Sequence, residues 1–207
     1  MAYVNINRNL RRTPASFDPT AVPDNEVERL KALRKFKIFD TPSEEIFSAY
    51  TELAALTFRT PIGLMSFVDE DTVHYKQAYG VERTGQLVPR KNSPCSIAIM
   101  SKEVVLFRYA LTDPCVLADE KNLSEAGYKF YAGAPLTTSD GFNIGMLAVV
   151  DRVPRTYTEE ELDRLKQLAS ETMMEVQLRL DSRDRSSLLS FNQRLKALHS
   201  RVESLRR

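Results

Sequence analysis

The chain has 207 residues, with 29 Lys or Arg against 28 Asp or Glu and a formal charge of +1. That length supplies one well-buried domain plus extensions, and the near-neutral charge gives no electrostatic reason to expect nucleic acid or an anionic membrane as partner. Nothing approaches the ~18 apolar residues of a membrane span, and residues 1–22 show no apolar core before a cleavage pattern, so a cytoplasmic protein is expected. Its two cysteines, Cys95 and Cys115, are then expected as free thiols.

Residues 1–24, with Pro14, Pro19 and Pro23 among Asn, Arg, Ser and Thr, bury too little to order themselves and are expected to form a flexible arm. Helical spacing starts near Asn25, with Val27, Leu30 and Leu33 as inward candidates, and stops near Lys37. Thr41-Pro42-Ser43-Glu44 then combines a capping hydroxyl, a first-turn proline and a reciprocal carboxylate, predicting a helix from Pro42 to about Phe58. Ile46, Tyr50, Leu53 and Thr57 fall on its inner face. Pro61–Val68 and Val73–Tyr79 read as a hairpin, Ser93-Pro94 opens a short helix through Cys95 and Ile99, and Val104–Tyr109 reads as a strand. A weakly helical Leu123–Phe130 precedes two strands, Phe130–Thr138 and Ile144–Asp151, joined through Asp140-Gly141. Along the first of these, Tyr131, Gly133 and Pro135 alternate with Ala132, Ala134 and Leu136, so one face carries little bulk and leaves room beside the backbone, which suits a ligand cleft.

A final helix opens at Thr158 with the capping box Thr158-Glu159-Glu160-Glu161 and carries the stripe Leu162, Leu165, Ala169, Met173, Val176, Leu180. Beyond Asp181–Ser187 the pattern sharpens. Leu188, Phe191, Leu195, Leu198, Val202 and Leu205 follow in alternating steps of three and four, the a/d seam of a coiled coil. From Arg179 onward, eight Lys or Arg stand against three Asp or Glu. The fold class expected is α+β: an antiparallel sheet of five to six strands flanked by helices, with a long C-terminal coiled-coil helix.

The segment Phe130-Tyr131-Ala132-Gly133-Ala134-Pro135-Leu136, with Ile144-Gly145-Met146-Leu147 and Asp151 to Pro154-Arg155, resembles the last two strands of GAF domains, especially a bacterial signalling subgroup. Ile38-Phe39-Asp40-Thr41-Pro42, Pro61-Ile62-Gly63-Leu64-Met65-Ser66-Phe67-Val68-Asp69 and Pro89-Arg90 ahead of Ser93-Pro94-Cys95 extend the resemblance over residues 25–180. The resemblance divides the chain into an arm at 1–24, a GAF domain at 25–180 and a coiled-coil extension at 181–207. It implies a small-molecule pocket on one face of the sheet, dimerising helices on the other, and a sensory or regulatory role in signal transduction rather than an enzyme. It names no cofactor and no ligand. Ile97 stands where the subgroup has a histidine, and Ser96 follows Cys95, which argues against a covalent bilin; the cyclic-nucleotide signature of the family is also missing.

The pocket residues expected are Arg90, Ser93, Cys95, Asp113 and Tyr131, with Tyr75 and Thr137 behind them. Arg90 would meet an anionic ligand or else brace Asp113, and Tyr131 would form an aromatic wall. Two alternatives stand beside this reading: a reductase of free methionine sulfoxide using Cys95 and Cys115, and a ligand-free dimerisation scaffold. The reductase needs a low-pKa thiolate, and the nearest cations in sequence are Arg90, Lys91 and Lys102. His74 and His199 are expected to face solvent, with no metal site. The partners expected are a second copy of the chain through Leu188, Phe191, Leu195, Leu198, Val202 and Leu205, the small molecule, and a signalling protein.

Overall fold

The computed structural model describes residues 22–39, 44–91, 93–107, 127–181 and 186–207. The cap at Thr41-Pro42-Ser43, Asp113, Cys115, nearly all of the expected arm and the first part of the weak helix at Leu123–Phe130 lie outside these residues. Helix α1 (Glu26–Lys35) has Glu26 and Glu28 in its first turn and Arg34 and Lys35 in its last, matching the helix dipole. Leu30 and Leu33 are buried as the spacing predicts, but Val27 is 60 % exposed. The reason is Arg29, buried to 1 % exposure, because two residues at ~100° each place Val27 on the opposite side of the helix.

Helix α2 (Glu45–Thr57) buries Ile46, Tyr50 and Leu53. It lies directly on strand β1 (Ile62–Val68): a Cβ at Gly63 would stand 2.0 Å from the carbonyl oxygen of Thr51. Strands β2 (Thr72–Tyr79), β3 (Leu87–Pro89), β4 (Val105–Phe107), β5 (Phe130–Thr137) and β6 (Asn143–Asp151) complete a six-stranded sheet in the order β3-β2-β1-β6-β5-β4. Every pairing is antiparallel. The short β3, closed by Pro89, is an edge strand that periodicity did not predict, and an edge tolerates the missing N–H. In place of a helix continuing to Phe130, Gly127 takes a positive φ of 67° and Phe130 already pairs with Asp151.

The period-two alternation sorts side chains onto two faces. Met65, Phe67, Phe130, Ala132, Ala134, Leu136, Leu147 and Val149 meet the long helices. Leu64, Val73, Tyr75, Tyr131, Met146 and Ala148 meet α3 (Pro94–Ala98). His74 points to the long-helix side and is 8 % exposed, stacked on Phe39 at 5.2 Å between ring centroids, which corrects the expectation that it faces solvent. Beside it, Lys76 is 2 % exposed and its Nζ donates to Ile38 O at 3.0 Å.

Helix α4 (Glu159–Asp181) realises the predicted capping box. Thr158 N donates to Glu161 Oε2 at 2.8 Å and Glu161 N to Thr158 Oγ1 at 3.2 Å. Leu162, Leu165, Ala169, Met173 and Val176 are all buried. Helix α5 (Ser186–Arg206) lies against the chain's own core. Leu198 and Val202 are 4 % and 3 % exposed, Phe191 and Leu195 pack at the rim, and Leu205 is 47 % exposed. Much of the seam is thus covered by α2 of the same chain.

Candidate functional site

The face under α3 gathers most of the polar chemistry that the sequence singles out. Ser66 interrupts the apolar run of β1 on this face, next to a bulge between Met65 and Ser66, and its Oγ donates to Cys95 Sγ at 3.2 Å. Tyr131 OH donates to the same sulfur at 3.7 Å, and its ring lies against Phe107 with centroids 5.6 Å apart. Tyr75, 7 % exposed, completes the wall, with the Arg83 guanidinium carbon 5.5 Å above its ring. Burial pushes the Cys95 thiol up, against the smaller pull of hydrogen bonds from Ser66 and Tyr131. Burial likewise raises Tyr75 and Tyr131, and the proximity of Cys95 adds to both. All three groups therefore stand neutral at physiological pH. A neutral, buried Cys95 is the reverse of the accessible thiolate that sulfoxide reduction requires.

Gly133 explains why Tyr131 can adopt this position. A Cβ there would stand 2.4 Å from the Tyr131 hydroxyl and 2.7 Å from its Cε1, so the ring occupies the space beside the β5 backbone. The low bulk legible in Tyr131-Ala132-Gly133 is real, but the chain's own tyrosine fills it. Ser93, at the entrance to α3, is 6 % exposed with its Oγ unpartnered among the described residues.

Arg90 is 7 % exposed and turned toward α1. Its Nη1 donates to Glu26 Oε1 at 2.5 Å and to the carbonyls of Asp69 at 3.1 Å and Glu70 at 3.2 Å. Arg29 grips the same carboxylate through Nε and Nη2, both at 2.7 Å, and sends Nη1 to Val68 O at 2.6 Å. Burial works against ionisation of Glu26, yet the hydrogen bonds from Arg29 and Arg90 win and hold its carboxyl below 4.5. The bracing role considered for Arg90 thus falls to Glu26. Arg90 Nη2 and Asp69 Oδ1 remain buried without a partner among the described residues.

Thr137 stands apart from this group: it is exposed, its hydroxyl donates to Asn143 Oδ1 at 2.7 Å, and six residues of strand separate it by about 20 Å from Tyr131. Asp151 and Arg155, at the end of the same motif, pair at 2.6 Å. Asp151 Oδ1 accepts from the amides of Arg152 and Val153, while Arg155 Nη2 donates to Arg59 O, so this end of the motif fastens β6 to the end of α2. Ser66 and Glu26 are the site's neighbours that sequence reasoning passed over. A lone serine inside Leu64-Met65-Ser66-Phe67 was the available signal for the first, and Glu26 and Arg29 one turn apart for the second.

Known proteins bear on this geometry. The GAF domain of Thermosynechococcus elongatus PixJ in its blue-light absorbing form superposes with a TM-score of 0.53 at 14% identity, covering 87% of this chain and 98% of that one. The GAF-B domain of DevS from Mycobacterium smegmatis gives a TM-score of 0.52 at 16% identity, covering 67% and 95%. At these identities the likeness is one of fold. The cyclic di-GMP phosphodiesterase PA2567 of Pseudomonas aeruginosa is 32% identical over 133 residues, which are 64% of this chain; the chain spans 22% of that relative's length. This match corrects the expectation of a protein that is not an enzyme, because the relative is named as one. Among the described residues, no helix is long and apolar enough to cross a membrane. The GAF domain pattern itself matches residues 42–176, well over half of the sequence, and the chain belongs to the GAF domain family.

Proposed function

We propose that this chain is the sensory, small-molecule-binding unit of a signalling system that turns over cyclic dinucleotides. The observation that carries the ligand-binding half is the buried Ser93 Oγ, left unpartnered among the described residues at the start of α3 next to Cys95 of the neutral wall, with a second unpartnered buried donor, Arg90 Nη2, three residues before it in the chain. Buried donors without partners are uncommon in folded proteins, and a ligand with a polar or anionic edge would satisfy them. The signalling half draws its support from the phosphodiesterase relative. Cyclic di-GMP turnover, as that relative's name has it, is the activity proposed for the whole protein in which such a unit works. Self-association through helices stays in the proposal with a changed contact: Met174 and Leu178, one turn apart on α4, are 61 % and 41 % exposed.

Native mass spectrometry of the gently purified chain tests the ligand. A retained mass that is lost on denaturation is expected, and Ser93→Ala should reduce its occupancy without changing the melting temperature. A bare chain mass, together with no thermal shift across a panel of anionic metabolites and nucleotides, would sink the ligand-binding half.

A further inference from the structure

Helix α5 carries its own instructions about what it binds. With Leu188, Leu195 and Val202 at a and Phe191, Leu198 and Leu205 at d, the g positions are Arg194 and Arg201 and two of the e positions are His199 and Arg206. In a parallel pair of α5 helices each g residue meets the e residue five places on in the other helix, so Arg194 would face His199 and Arg201 would face Arg206. An antiparallel pair sets g against g, arginine against arginine. In both arrangements arginines flank the seam with no carboxylate to neutralise them.

Within the chain, each of these residues meets a carboxylate. Arg194 Nε lies 2.7 Å from Glu175 and Arg201 Nη1 2.8 Å from Glu171, both on α4. His199 Nε2 lies 3.7 Å from Glu45, and Arg206 pairs with Glu52, both on α2. The order of these contacts runs α5 parallel to α2 and antiparallel to α4. Both g residues therefore reach α4 and both e residues reach α2, with Leu198 and Val202 buried between. Glu175 is itself only 7 % exposed.

We infer that α5 is a charge-keyed latch: its e and g arginines, Arg194, Arg201 and Arg206, select the acidic surface of α2 and α4 of its own chain and disfavour coiled-coil pairing with a second α5. Like charges across a helix pair exclude a partner as effectively as opposite charges recruit one. Neutralising the α4 carboxylates would loosen the latch, but only reversing the α5 charges would let two α5 helices join.

Cysteine cross-linking tests this. Leu205→Cys places a thiol at the exposed d position, in a Cys115→Ser background so that only the buried Cys95 remains beside it. With native charges, oxidation should give little 205–205 cross-link. R194E with R201E sets glutamate at g against His199 and Arg206 at e and should raise the yield roughly tenfold. Adding E171R with E175R should return it to the low level by rebuilding the intrachain pairs. Should that combination fail to fold by circular dichroism, E171Q with E175Q replaces it, and cross-linking should then stay low because the α5 cations still repel. The inference is overturned by efficient cross-linking with native charges, by a folded R194E/R201E protein that does not cross-link, or by E171Q/E175Q rising to the reversed-charge level. A native-charge dimer that does not cross-link at 205 and dissociates on E171R/E175R would place α5 on a second copy, and overturns it equally.

Discussion

Replacing Arg90 by alanine should destabilise the protein, and the structure sets the scale. The substitution removes a charge-assisted bond to Glu26 at 2.5 Å and donors to the carbonyls of Asp69 and Glu70. Breaking a buried pair by deleting one partner costs about 3–5 kcal/mol. Here the orphaned carboxylate keeps the two Arg29 contacts, and its side chain is 15 % exposed, so water relieves part of the loss. About 2–3 kcal/mol remains, in the range of a bond to a charged group. For a chain of this length that corresponds to a fall in melting temperature of roughly 4–12 °C. The pH dependence supplies a second reading. Glu26 is held below 4.5, so its contribution is present above 4.5 and is lost as pH falls through the folded-state value. In Arg90→Ala that acid-limb loss should shrink, since one of the two cations responsible is gone. Differential scanning calorimetry from pH 3 to 8 on both proteins measures the two effects together. An unchanged melting temperature at pH 7 would falsify the reasoning, because it would mean that Glu26 and the β1–β2 turn do not depend on Arg90.

Burial, followed by the neighbouring Lys76, lowers the pKa of His74 from 6.5, so the fold must accept an unfavourable charge there at low pH. Stability should be full above 6.5 and decline as pH drops below it, and in His74→Phe this part of the slope should vanish from denaturation midpoints measured between pH 5 and 7. Cys95, 1 % exposed with its thiol raised by burial, should react with a maleimide only as fast as the protein opens; rapid stoichiometric labelling at pH 7 in a Cys115→Ser background would show an accessible thiolate instead. Thr158→Ala removes one half of the α4 capping box and should cost about 1 kcal/mol, a drop of roughly 2–4 °C by thermal circular dichroism. No change on that substitution would mean that water caps the helix equally well.

The elements legible in the sequence were those whose local chemistry and long-range packing agree. The α4 capping box sits next to a stripe that is buried throughout, so cap and periodicity point to the same helix. The alternation of Tyr131, Gly133 and Pro135 against Ala132, Ala134 and Leu136 assigned β5 its two faces, because side-chain direction in a strand depends only on counting. What periodicity does not report is the identity of the covering surface. The α5 seam reads as apolar at a and d whether a second chain or α2 lies on it, and only the e and g residues carry the distinction. His74 was misplaced for a related reason. Alternation marks one face of β2 as inward, whereas this strand is covered on both, and a strand buried on both sides loses the polar-out signature. Arg90 was legible as a cation that would meet an anion or brace a loop, but its partner Glu26 lies 64 residues earlier, beyond the reach of any spacing argument.

The placement of Arg90 bears on how occupancy of the α3 face could reach the helices. The guanidinium is only half used: Nη1 holds Glu26 at the start of α1, and Nη2 is buried without a partner among the described residues. A ligand that engages Nη2 alone adds a contact and leaves the Glu26 bond intact, so it stiffens the junction of α1 with the β1–β2 turn. A ligand anion that competes for Nη1 must displace a carboxylate already held by Arg29, and it shifts α1 only by as much as its own affinity differs between the two arrangements. The ~2–3 kcal/mol assigned to the Arg90–Glu26 contact is therefore the ceiling on coupling by this route, which lies within the usual range for linked sites. Because Arg29 also anchors Glu26 and Val68 O, loss of the Arg90 contact would loosen the first turn of α1 without freeing it from the sheet. Signalling through Arg90 would thus be a graded change in α1 rather than its release, and the α5 latch, whose ion pairs lie on α2 and α4, would not be opened by it directly.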